Sequence, residues 1–114
     1  MKSLKLILCS LAFVMVSGSL FAADDQLADG KEQFEYWCAT CHSPNLYRGN
    51  YLPGTASLLE KYNGQVPAAL EQRTDLVAEY VKVVIRHGSE GMPSFRKTEI
   101  SDSQMEDIAA YLSR

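Results

Sequence analysis

The run Cys38-Ala39-Thr40-Cys41-His42 concentrates more chemistry than any other five residues of this 114-residue chain. Cys-x-x-Cys-His is the attachment spacing of c-type haem. Two thiols one helical turn apart present both sulfurs to the same porphyrin, where they add across its two vinyl groups, and the next residue, His42, is then aimed at the iron. The final histidine separates this reading from ordinary Cys-x-x-Cys chemistry, a redox disulfide or half of a zinc site. Zinc needs two further ligands, and besides His42 the chain has only His87. A thioredoxin-like site needs strand-helix-strand alternation around the motif, and the sequence has none.

An iron held by one histidine leaves a sixth position to fill. Residues 88–95, Gly-Ser-Glu-Gly-Met-Pro-Ser-Phe, are too rich in Gly and Pro for regular structure, and they carry Met92. A thioether on a loop is not explained by helix packing, whereas Met105 falls on the apolar face of a helix and reads as core. Pro93 stiffens the chain behind Met92. The expected iron ligands are therefore His42 and Met92; the alternative is a surface methionine that leaves the iron open. His87 would serve only in a bis-histidine site, and beside a helix stop a cation near the negative end of the dipole is its commoner use. Pro53-Gly54 follows His42 at a distance suited to a wrapping loop. A backbone carbonyl near Pro53 is expected to accept the other imidazole N–H and fix its tautomer, unless Pro53 is an ordinary turn proline.

The elements that must position these groups read as helices. Over residues 26–37, Leu27, Phe34 and Trp37 share a face with small Gly30. A mid-helix glycine costs about 1 kcal/mol relative to alanine, so another element should cross closely there. Residues 43–54 read as loop. Residues 55–62 read as a short helix with Thr55 as cap and Asn63-Gly64 as stop, and residues 67–72 as a helical turn opened by Pro67. Thr74 or Asp75 is expected to cap a helix carrying Leu76, Val77, Tyr80, Val81, Val84 and Ile85 and ended by Gly88. Ser101 with Gln104 predicts a capping box, and Ile100 with Met105 a hydrophobic staple, for a last helix that buries Met105, Ile108, Ala109 and Leu112 with Tyr111 at its edge. Tyr111 is the natural partner of Gly30. With no repeats and no strand alternation, the expected class is all-α: three to five helices and long loops wrapped around one covalently bound haem.

Residues 1–22 read as a secretory signal peptide: Lys2 and Lys5, an apolar run over 6–16, then Leu20-Phe21-Ala22 as cleavage site. The apolar run is about eleven residues, against the roughly 20 of a membrane span, so no membrane anchor is expected after cleavage. Cys9 leaves with the leader. Residues 23–114 then form one small domain, for which a covalently held cofactor is the kind of staple a marginal core needs. Losing Lys2 and Lys5 takes the formal net charge from −3 to −5. With no basic cluster, nucleic acid and anionic membrane surfaces are excluded as partners.

The ordered set Gly30, Phe34, Cys38-x-x-Cys41-His42, Pro53-Gly54, Gly88, Met92-Pro93 and Ala110-Tyr111-Leu112 resembles a class I cytochrome c over nearly the whole mature chain. The resemblance implies His42 as proximal ligand, Met92 as distal ligand, the Pro53 carbonyl as brace on the histidine, and a contact of Gly30 and Phe34 with Tyr111. The segment from Arg86-His87-Gly88 to Met92-Pro93-Ser94-Phe95 is similar, more narrowly, to the small cytochrome subunits of flavocytochromes that oxidise alkylphenols, the p-cresol methylhydroxylase and eugenol hydroxylase type. The stretch 58–73 is longer than expected there, which leaves room for a dehydrogenase of another class.

The expected function is a periplasmic electron carrier that is not itself an enzyme. It would accept electrons from a flavoprotein or quinoprotein dehydrogenase, as a free carrier or as its cytochrome subunit, and pass them towards the respiratory chain. The competing expectation is a haem-based gas sensor or peroxidase-like enzyme in which Met92 is displaced.

Overall fold

The computed structural model describes residues 18–114; residues 1–17, with Cys9 and most of the expected leader, lie outside them. Helix α1 (Gly18–Trp37) runs directly into the one-turn helix α2 (Ala39–His42). A two-stranded antiparallel hairpin follows, β1 (Leu46–Tyr47) and β2 (Asn50–Tyr51), then α3 (Pro53–Tyr62), a 3₁₀ turn (Leu70–Gln72), α4 (Ala78–His87) and α5 (Asp102–Leu112). The class is all-α, as expected. Among the described residues no helix is long and apolar enough to cross a membrane.

The core lies where the terminal helices cross. Phe34, Ile108 and Ile100 are fully buried, and Ala109, Leu112, Val81, Ile85, Met105, Tyr111 and Cys38 complete the cluster. The glycine that weakens α1 makes the crossing feasible. A Cβ on Gly30 would lie 2.1 Å from the Asp107 carbonyl oxygen and 2.8 Å from the Tyr111 Cβ. Phe34 and Tyr111 pack with ring centroids 5.8 Å apart. Tyr111 is buried rather than at the edge of α5, because its hydroxyl finds Glu71 on the 3₁₀ turn.

Helix α5 starts with the full capping box: the Ser101 hydroxyl accepts from Gln104 N and the Gln104 side chain accepts from Ser101 N. Gln104 also donates to Gln33 Oε1 at 2.9 Å, pinning α5 to α1. Met105 is buried core, and Gly88 ends α4 at φ 72°.

Several boundaries differ from expectation. The loop 43–54 contains the hairpin, with Leu46 opposite Tyr51 and Tyr47 opposite Asn50 across an Arg48-Gly49 turn in which both φ are positive, 53° and 80°. Thr55 is not a cap: α3 begins two residues earlier with Pro53 at its first turn, where the missing N–H costs nothing. Pro67 opens no helix, the turn forming only at Leu70. Neither Thr74 nor Asp75 caps α4, whose N-cap is Val77 without a side-chain bond; the Asp75 carboxylate is engaged by Arg73.

Candidate haem site

Cys38 sits at the joint between α1 and α2, its N–H donating to the Phe34 carbonyl at 2.9 Å. The Cys38 carbonyl in turn accepts from Cys41 N and His42 N at 3.0 and 2.9 Å. This single turn is the local reason the motif residues converge. Cys38 is buried and Cys41 exposed. Burial, with a smaller push from neighbouring Cys41, raises the Cys38 thiol to about 12. His42 is buried, and desolvation lowers its pKa, favouring the neutral imidazole that ligates metals.

The next segment wraps back onto the histidine. Thr55, itself 1 % exposed, donates its hydroxyl to the Ser43 carbonyl at 2.8 Å, fastening α3 under α2. Gly54 lies against the imidazole: a Cβ there would be 2.6 Å from His42 Cε1 and 2.8 Å from the Cys41 carbonyl. The expected brace from Pro53 is not made. The Pro53 carbonyl accepts from Ser57 Oγ at 2.9 Å within α3, and His42 Nδ1 is buried without a hydrogen-bond partner. Opening a helix turns the Pro53 carbonyl along the helix axis, into the position of an i, i+4 acceptor.

Met92 closes a tight turn. Ser89 and Met92 exchange two backbone hydrogen bonds, 3.2 and 2.9 Å, across Glu90-Gly91. The turn is bolted to the fold behind it: Phe95 N donates to the Ile85 carbonyl at 2.8 Å, and Arg86 donates to the Phe95 and Ile100 carbonyls and to Asp102 at 3.2, 2.9 and 2.9 Å.

A cavity of about 380 Å³ touches all five residues singled out by the sequence, Cys38, Cys41, His42, Pro53 and Met92. Its remaining wall is mostly apolar, from Leu58, Leu70 and Leu76 to Val81, Ile85 and Ile108, and its size is that of a small-molecule or cofactor site. Trp37 and His87 do not reach it. Trp37 packs edge-on against Phe95, and exposed His87 is hydrogen-bonded through Nδ1 to the Val83 carbonyl. Among the described residues no three His, Cys, Asp or Glu side chains are grouped to hold a metal ion, as a zinc site would require.

Arg73 was not singled out from the sequence, Thr55 was read only as a helix cap, and Arg86 only as part of the Arg86-His87-Gly88 resemblance. Gly54 had a signal in the Pro53-Gly54 pair close after the motif, read as a wrapping loop that braces His42 through a carbonyl and not as packing against the imidazole. Arg86 has no local signal, because the Phe95 and Ile100 carbonyls and the Asp102 carboxylate are brought to it by the tertiary fold, whereas Arg73 pairs with Asp75 two residues on, which was read as a cap.

Together these features define a haem-binding helical domain, and comparison with known proteins assigns its family. The family described as cytochrome C oxidase, cbb3-type, subunit III, matches residues 25–112, and the chain belongs to it. The cytochrome c subunit of 4-cresol dehydrogenase [hydroxylating] from Pseudomonas putida is 27 % identical over 88 % of this chain and 72 % of its own length. Cytochrome c6 of Thermostichus vulcanus is 30 % identical over 98 % and 91 %, and that of Synechocystis 36 % over 85 % and 70 %. No solved structure matches. The protein is a class I c-type cytochrome carrying one covalently bound haem c, and its role is electron transfer.

The residues suit that group. The cavity is apolar, two thiols sit one turn apart at its wall, and the buried imidazole has a polar atom without a partner and a neighbour at position 54 that only glycine satisfies.

Proposed function

We propose that the protein is a periplasmic one-electron carrier in which Cys38 and Cys41 would bind the haem as thioethers and His42 and Met92 would hold its iron. In this reading it takes electrons from a flavoprotein or quinoprotein dehydrogenase and delivers them to a downstream acceptor. The observation that supports it is the single cavity lined by Cys38, Cys41, His42 and Met92.

Haem supplies Fe(III)/Fe(II) exchange, and the protein supplies attachment, ligands and exclusion of water. If His42 and Met92 both held the iron of a bound haem, no position would be left for a substrate, which would separate a carrier from a gas sensor or peroxidase. Thioether sulfur favours the ferrous state, and the apolar wall raises the potential further. Gly54 gives the imidazole room, while Pro93 and the bonds from Arg86 to the Phe95 and Ile100 carbonyls fix the backbone that follows Met92. A dehydrogenase donor is supported by the name of the Pseudomonas putida relative, a subunit of a hydroxylating dehydrogenase. The expected signal peptide supports export.

The ferric protein should show the methionine-to-iron charge-transfer band, and Met92→Ala should abolish it; a band that survives the substitution would overturn Met92 as ligand. Rapid carbon monoxide binding by the reduced wild type would favour the sensor reading instead. Purification from the native source should bring down a flavoprotein or quinoprotein dehydrogenase.

A further inference from the structure

The wall of the haem cavity includes two cations, Lys61 at the end of α3 and Arg73 just after the 3₁₀ turn. They differ in burial. The Lys61 side chain is 39 % exposed and paired with Glu90 at 2.9 Å. The Arg73 side chain is 7 % exposed; its Nε and Nη2 donate to Asp75 at 2.9 and 2.6 Å, and its guanidinium carbon stacks 4.8 Å from the centre of the Tyr62 ring. Asp75, 49 % exposed, reaches into water.

A guanidinium buried at the rim of an apolar cavity is costly, and an ion pair with a half-solvated carboxylate recovers only part of that cost. The same ion pair could form on the open surface with no burial at all. What burial adds is placement. The cofactor that fills this cavity carries two propionate carboxylates, and guanidinium is the side-chain group whose planar fork matches a carboxylate in two-point contact. Asp75 takes donors on one edge of the fork and Tyr62 supports its face, so the group is held in orientation before any ligand arrives.

We propose that Arg73 is a propionate-binding residue of the haem site, with Asp75 and Tyr62 as positioning residues that hold its guanidinium towards the cavity. The inference rests on the haem being bound at the Cys38-Cys41-His42 site. A fixed positive charge beside the haem disfavours the ferric state, so Arg73 also raises the midpoint potential.

The test uses the haem-loaded protein and its Arg73→Gln, Arg73→Lys and Asp75→Asn variants, reading midpoint potential and the propionate carboxylate bands in redox-difference infrared spectra. R73Q should shift the ferric-to-ferrous ratio at fixed potential roughly tenfold towards ferric, a fall of ~59 mV for one electron, and should move the carboxylate bands. R73K should restore much of the potential. D75N, which removes an anion and leaves the cation, should hold the potential or raise it. A haem-loaded R73Q with unmoved potential and bands overturns the proposal. If R73Q does not accumulate, D75N decides: a lowered potential there overturns the proposal, and a held or raised one with altered carboxylate bands supports it. A wild type with no covalent haem would instead overturn the attachment reading, which the optical spectrum reports separately.

Discussion

On the wall that carries His42, the fastening is buried and steric: Thr55 is 1 % exposed and bonded to the Ser43 carbonyl, and Gly54 leaves no room for even one carbon beside the imidazole. On the wall that carries Met92 the fastening is polar, open at the turn itself and partly buried only behind it at Arg86. Glu90, Gly91 and Pro93 are exposed, Met92 is half-buried, and the turn is tied down by two backbone bonds, by Arg86 behind it and by the surface pair Lys61–Glu90. A buried steric contact has one solution, because interiors are close-packed and cannot yield smoothly. An exposed polar tie is worth little and is readily exchanged with water. The histidine wall is thus built to be preorganised and the methionine wall to be adjustable, and changes of similar size in the two walls should have unequal effects.

The largest inequality is expected between two glycines. Alanine at Gly54 would gain up to about 1 kcal/mol of helix propensity, yet its Cβ would stand 2.6 Å from His42 Cε1. Overpacking of this kind costs about 1–3 kcal/mol, so Gly54→Ala should destabilise the holoprotein by about 2 kcal/mol in denaturant unfolding. Alanine at Gly91 meets nothing within 4 Å, and Gly91→Ala should stay within about 0.5 kcal/mol of wild type. Equal losses would erase the distinction between the walls.

Arg86 tests whether the methionine wall depends on its rear attachment. Arg86→Met leaves the Phe95 and Ile100 carbonyls without that donor. The expected loss is about 1–2 kcal/mol, accompanied by a weaker methionine-to-iron band. An intact band with the same loss of stability would show that the turn holds Met92 without Arg86.

What the sequence made legible follows the same division. The haem motif, the capping box at Ser101, the stop at Gly88 and the Gly30 crossing with Tyr111 are each set by short-range geometry or a steric vacancy, and each stands where expected. The hairpin was missed because two-residue strands are too short for alternation to show, and because one of its turn positions is Arg48 at φ 53°, a residue with no preference for that region. Pro53-Gly54 was read as a wrapping loop bracing the histidine by a carbonyl; the pair opens a helix, and its contact with His42 is Gly54 packing. Asp75 was read as a cap because local sequence shows a capping residue and not the arginine two positions earlier that engages it. Arg86 reaches a carbonyl fourteen residues away, which no local pattern encodes.

Glu90 sharpens the comparison from the other direction, as a place where the methionine wall can be improved. It sits at φ 53°, a region that costs a non-glycine residue about 1 kcal/mol. Glu90→Gly removes that strain along with an exposed ion pair to Lys61, so thermal unfolding should show unchanged or higher stability. A clear loss would mean that the surface pair matters more to the turn than its backbone does.

The smallest effect is expected at Asp102, which ties the attachment behind Met92 to α5. Hydrogen bonds from Lys97, at 2.7 Å, and from Arg86, at 2.9 Å, hold its carboxyl below the ordinary value of 3.8. A carboxylate with a lower pKa folded than unfolded stabilises the fold at pH values above its unfolded pKa, and the contribution disappears as pH falls through the folded value. Stability curves of wild type and Asp102→Asn should therefore run roughly parallel from neutral pH down to about pH 5 and converge at lower pH. Both partners of Asp102 meet it at the surface, so added salt should narrow the neutral-pH gap. Salt should leave the Gly54→Ala deficit untouched, since no charge is involved there. A salt-insensitive Asp102 gap would place this ion pair among the buried fastenings and move the boundary between the two walls to include α5.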